Sequence, residues 1–229
     1  MSASRVREPD PIQRLWPVAE QPTSRLLRLG AAALSDAEIL AILIRRGSRS
    51  QSAVDIARDA LNAAGGLSSL LVGSPAQVLS PEATARLTAA LEFARRSLIE
   101  ELRTRNALTS PASVRDYLRL TLAGREHEVF VAVFLDAQHR VIACEELFRG
   151  TLTQTSVYPR EVVKGALRQN AAAVIFAHNH PSGVAEPSHA DEALTRSLRS
   201  ALALVDIRVL DHFIVAGSAT LSFAERGLL

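Results

Sequence analysis

Two histidines one residue apart, His178 and His180, are followed by Ser188 and Asp191 in the stretch FAHNHPSGVAEPSHAD, which runs from Phe176 to Asp191. The run of small and β-branched apolar residues from Ala171 to Ala177 predicts a buried strand that delivers the pair. Alternate strand residues share a face about 6.6 Å apart, two strand rises. Two imidazoles so placed can converge on one ion at the roughly 2.0–2.1 Å of zinc–nitrogen bonds. Pro181, Ser182 and Gly183 stop the strand and turn the chain, and Pro187-Ser188 predicts a helix start with Asp191 in its first turn. A three-ligand site of His178, His180 and Asp191 is therefore feasible. The plainer alternative is a pair of hydrogen-bonding histidines followed by a Ser188-x-x-Asp191 capping box. Capping and ligation are compatible at Asp191.

The H-x-H-P, seven-residue, S-x-x-D pattern is similar to the metal-binding motif of the JAMM/MPN metallopeptidases, and its HNHPSG opening resembles the bacterial RadC family in particular. The resemblance implies one zinc ion per chain held by His178, His180 and Asp191, with water in the fourth position. It also implies that Ser188 helps hold the oxyanion and that an upstream glutamate acts as general base. Glu128, heading His127-Glu128-Val129-Phe130, matches that position; Glu126 would share its face in an earlier-starting strand, and Glu145 and Glu146 are weaker alternatives. If Ser188 caps the helix through a lone pair, its O–H stays free for the oxyanion. The implied activity is hydrolysis of a peptide or isopeptide bond in a peptide or protein substrate. The literal His178-Asn179-His180 string is not an HNH nuclease signature, because such enzymes spread those residues across a ββα unit. A zinc deaminase is disfavoured, since no H-x-E is followed by P-C-x-x-C. The GTLTQTSVYPRE segment is also RadC-like. Ser156 and Arg160 could face substrate there, although capping and packing explain them equally well; His139, His189 and His212 lie off the motif and read as surface or packing residues.

The elements around these residues fall into two groups. Residues 1–22, with Pro9, Pro11, Pro17 and Pro22, predict a flexible or loosely docked arm whose Trp16 packs back on the domain. Residues 23–103 predict a small all-helical domain: a short helix at Thr23–Gly30, capping boxes or turn signals at Ser35, Ser50 and Ser80-Pro81-Glu82, and an apolar stripe through Leu87, Leu91, Ala94, Leu98 and Leu102. The segment from Arg25 to Leu43 resembles the N-terminal domain of RadC proteins, so the likeness spans about residues 23–229. That domain usually carries a glycine-rich helix-hairpin-helix turn able to meet DNA phosphate. Here the place reads Val78-Leu79-Ser80-Pro81-Glu82-Ala83, without the glycine that lets backbone approach closely. Arg45-Arg46-Gly47-Ser48-Arg49 is the remaining phosphate-contact candidate, equally readable as a solvated helix end. After a linker at 104–110, residues 111–229 predict an α/β (α+β) MPN/JAB-like mixed sheet with flanking helices. Its strands are Glu128–Leu135, Arg140–Phe148, the strand to His178, Asp206–Leu210, His212–Ala216 and Ala219–Phe223.

Composition sets the outer bounds. The 229 residues carry 48% hydrophobic and 22% charged residues and a net charge of +2, ordinary for a globular chain and too small by itself to argue for nucleic acid. Cys144 is the only cysteine, so no intrachain disulfide forms and any zinc must be held by His and carboxylate. No apolar run approaches the roughly 18 residues of a membrane span, and Met1–Asp10 lacks a signal-peptide core, so the cytoplasm is the expected compartment, with no membrane partner. The family's DNA-repair label implies the rival reading, a DNA-associated accessory protein without peptidase activity. The sequence specifies no oligomeric state.

Overall fold

The computed structural model describes residues 16–229 except 46, 49, 74, 108–110, 123 and 151–156. Most of the expected arm, the end of the expected linker, Ser156, Arg46 and Arg49 thus lie outside the described residues. The chain divides into two compact units, one ending at Ala90 and one beginning at Leu91.

The first unit is helical, with α1 (Pro22–Leu29), α2 (Asp36–Ile44), α3 (Ala53–Ala64) and α4 (Leu67–Val72), and α5 (Pro81–Thr104) begins in it. The starts of α2 and α5 are built as the sequence predicts, whereas α3, expected from Ser50, is capped two residues later by Ser52. Ser35 and Glu38 form one complete capping box, and Ser52 and Asp55 another. Ser80 Oγ accepts from the amide of Ala83 at 3.3 Å. Arg86 closes the other end of α2, donating to the carbonyls of Leu43 and Ile44, the latter at 2.7 Å. The helix that the sequence ends at Gly47 stops at Ile44, with Arg45 at φ 69° as its cap.

The second unit is the expected mixed sheet with flanking helices. It contains α6 (Pro111–Leu122), β1 (Glu128–Leu135), β2 (Val141–Gly150), α7 (Pro159–Arg168), β3 (Ala173–Asn179), α8 (His189–Ala203), β4 (Arg208–Ala216) and β5 (Ala219–Ser222). The strand order is β2-β1-β3-β4-β5, with only β3 and β4 parallel among the described pairs. Alternation assigns the two faces. Val129, Val131, Val133, Ile175, Phe213 and Val215 pack with α6 and the end of α5, whereas Phe130, Ala132, Phe134, Val174 and Phe176 pack with α7 and α8. Ala107, inside the expected linker, is buried in the first of these clusters and its amide donates to the His139 carbonyl at 2.9 Å.

One expectation needs correction. The stretches 206–210 and 212–216 are not separate strands but one, β4, and the polar Asp211-His212 pair that suggests a break lies inside it. The Asp211 carboxylate accepts from the amides of His212 (2.7 Å) and Ala224 (3.0 Å) and from Ser222 Oγ (2.6 Å), so an acid inside a strand is satisfied locally. The ladder skips Leu210, because Val174 pairs with Val209 while Ile175 pairs with Asp211. This bulge inverts the facing count, so that His212 joins Phe176 on the α8 side.

A candidate metal centre

His178 and His180 come from the C-terminal end of β3, and Asp191 from the first turn of α8, which crosses back toward the parallel strand β4. His178 is fully buried and Asp191 is 2% exposed, while His180 is half-buried at the rim. One ligand atom from each lies within 4.8 Å of the others. The Nε2 atoms of the two histidines are 2.9 Å apart. His178 Nε2 is 3.3 Å from Asp191 Oδ1, and His180 Nε2 is 3.6 Å from Asp191 Oδ2. A tetrahedral ion with bonds near 2.0–2.1 Å holds its ligands about 3.3 Å apart, the scale of this triangle.

Hydrogen bonds behind the cluster decide which ring atoms carry protons. Thr195 Oγ1 donates its single proton to the Asp191 carbonyl at 2.6 Å, so it accepts from His212 Nδ1, 2.7 Å away. His212 is fully buried, in contact with Phe130, Phe176 and Phe223, and burial followed by the charge of His178 pushes its pKa well below the ordinary value. A neutral ring protonated at Nδ1 offers only a lone pair at Nε2, which accepts from His178 Nδ1 at 2.8 Å. His180 Nδ1 donates to the carbonyl of Val184 at 2.8 Å. When neutral, both motif histidines therefore turn bare Nε2 lone pairs toward each other and toward a carboxylate. A cation between them satisfies all three, so the donor set fits a metal ion.

A proton on either Nε2 is the alternative to a cation, and the electrostatics of the cluster favour positive charge at that point. Burial pushes the Asp191 carboxyl up, but hydrogen bonds from His178 and His180, the His178 charge and Ser188 overrule it and hold Asp191 far below the usual carboxylate range. The His180 pKa is raised, first by its hydrogen bond to Asp191, against burial, with the Val184 carbonyl and the charges of Asp191 and Glu128 adding.

Glu128 heads β1. Phe130 pairs with His178 in the β1–β3 ladder, and their rings stack at 6.2 Å, so Glu128 and His180 fall on the same sheet face by alternation. Glu126 precedes the strand and is exposed. Glu145 binds Arg168 at 2.6 Å and Glu146 binds Arg149 at 2.8 Å. Ser188 caps α8, accepting from the Asp191 amide at 3.1 Å, but its hydroxyl also donates to Asp191 Oδ2 at 2.7 Å rather than standing free. Arg160 is exposed and stacks on the Tyr158 ring, 4.8 Å from its centroid. Thr195 and His212 are the parts that sequence reading misses; the signal that could have found His212 is the acid next to it, which marks β4 as more than a plain buried strand.

Comparison with known proteins gives the cluster a context. A family model described as RadC-like JAB domain matches residues 108–228, and one described as UPF0758 N-terminal matches residues 14–90. The chain is 63% identical over 219 residues to a UPF0758 protein of Nitrosospira multiformis, covering 93% of this chain and 98% of that one. It is 61% identical over 221 residues to a UPF0758 protein of Dechloromonas aromatica, again covering 93% and 98%.

Proposed function

The chain belongs to the RadC-like JAB domain family, and on that premise we propose that it is a zinc-dependent hydrolase of peptide or isopeptide bonds. The observation that carries this reading is the convergence of the Nε2 atoms of two imidazoles and one carboxylate, each group oriented by a hydrogen bond to a neighbour outside the triad. His178, His180 and Asp191 would hold the ion. A zinc ion with three protein ligands polarises a carbonyl and lowers the pKa of a coordinated water to about 7.

The protein's own groups do the rest. Glu128, on the same face and electrostatically coupled to His180, takes a proton from the attacking water and passes it to the departing amine. Ser188 fixes Asp191 while substrate is absent. Its role as oxyanion donor requires the hydroxyl to turn from Asp191 Oδ2 toward the substrate oxygen, leaving the Ser188 amide to hold the carboxylate at 2.7 Å.

Zinc analysis of the purified full-length chain tests the site. The expected result is about one zinc per chain for wild type, as a three-ligand site demands, and a loss of about 100-fold or more in affinity for His178→Ala. Equal zinc content in the two proteins would refute the ligand assignment. Peptide-library cleavage that appears with zinc and vanishes with chelator tests the hydrolysis.

A further inference from the structure

We propose that Asn179, the residue between the two motif histidines, is a positioning residue that holds Glu128 over the cluster by clamping the backbone on both sides of it. The regular β1–β3 ladder ends at the Phe130–His178 pair. Beyond it, where Pro181 turns β3 away, the Asn179 side chain continues the pairing in place of the backbone. Its Oδ1 accepts from the amide of Val129 at 2.8 Å. Its Nδ2 donates to the carbonyl of His127 at 3.1 Å and more weakly to that of Arg125 at 3.4 Å. A carboxamide offers an acceptor on one side and two N–H donors on the other, and both sides are used here.

Asn179 is 3% exposed and is the last residue of β3, so its side chain leaves the face opposite to His178 and His180. One residue position therefore supplies the ion's ligands to one side and the clamp to the other. Glu128 lies between the two clamped peptides, with β2 fixing it from the far edge through the Glu128–Gly150 pair. With residues 127 and 129 held, the Cα–Cβ bond of Glu128 is committed to the histidine face. No shorter or purely acceptor side chain at 179 can satisfy both the amide and the carbonyls.

The catalytic consequence rests on the hydrolase reading; the clamp itself does not. Amide exchange in the full-length chain reads the clamp directly. Asn179→Ala should speed exchange at Val129 by about 10- to 100-fold, the cost of one lost buried hydrogen bond. Asn179→Asp keeps the acceptor, so Val129 stays protected while both donors are lost, which guards against an alanine variant that folds poorly. Both variants should keep zinc affinity, by chelator competition, within about threefold of wild type, because the ligands are untouched. On a cleaved peptide, both should lower kcat by about tenfold or more with KM nearly unchanged, as loss of an interaction made only in the transition state requires. In a Glu128→Gln background they should cost nothing further. Unchanged Val129 exchange in Asn179→Ala would overturn the clamp, as would a zinc loss matching His178→Ala or a full additive loss beside Glu128→Gln. Should the wild-type chain take up no zinc, the hydrolase reading falls, and the exchange result alone still decides the clamp.

Discussion

A glutamine at position 128 keeps the size of the side chain and loses its basicity. If Glu128 moves the proton, Glu128→Gln should retain zinc and lower kcat by about 10²- to 10⁴-fold, the range for removing a general base. A variant that retained wild-type turnover would reassign the base. His212 tests the layer behind the ligands. Thr195→Val and His212→Ala break the chain that orients His178, and each should weaken zinc binding by about 10- to 100-fold, the effect typical of losing an outer-shell partner. Affinity unchanged in both would show that His178 is oriented by packing alone. The grouping of His178, His180 and Asp191 is legible in the sequence because all three fall within one strand, one turn and one helix start. His212 is not, because it lies 34 residues beyond His178, and simple alternation counted from Val209 sends it to the wrong face.

Among elements, the helix starts carry their own signals. Ser52 is 1% exposed and makes both halves of a capping box with Asp55, so Ser52→Ala should cost about 1 kcal/mol in equilibrium denaturation. A cost near zero would mean that water replaces the cap. The same local chemistry makes α2, α5 and α8 readable from Ser-x-x-acid or Ser-Pro signals, and the Ser52-x-x-Asp55 box corrects the expected α3 start at Ser50 by two residues. Strands β1 and β3 are readable from unbroken apolar runs, since both are buried on two faces. β4 is misread as two pieces because two of the three groups that satisfy Asp211, Ser222 Oγ and the Ala224 amide, follow the next turn, where no window on β4 contains them.

For the molecule as a whole, the DNA-associated rival comes from the family label and would need phosphate contacts from the start of α5 or from the basic stretch 45–49. A net charge of +2 gives no strong overall attraction to phosphate, and at the hairpin position the amide of Ala83 is already taken by Ser80. Duplex DNA titrated against the full chain should bind no tighter than the roughly 10⁻⁴–10⁻⁶ M of non-specific association at physiological salt. Tighter binding with a steep salt slope would restore that rival. No helix among the described residues is long and apolar enough to cross a membrane. The division into a helical part and a sheet part is visible in the sequence as a change from helical to alternating or continuous apolar patterning.

The turn after β3 has a last implication. Gly183 adopts φ 81°, and its amide closes the turn onto the His180 carbonyl at 3.1 Å. That bend delivers the Val184 carbonyl to the His180 ring. An added methyl at Gly183 would meet no neighbouring atom, yet the left-handed backbone there disfavours any L side chain. A solvent-facing position with ample room is thus mechanically wired to the imidazole, and a substitution that looks harmless on the surface would be felt as a swivelled ring two bonds deeper.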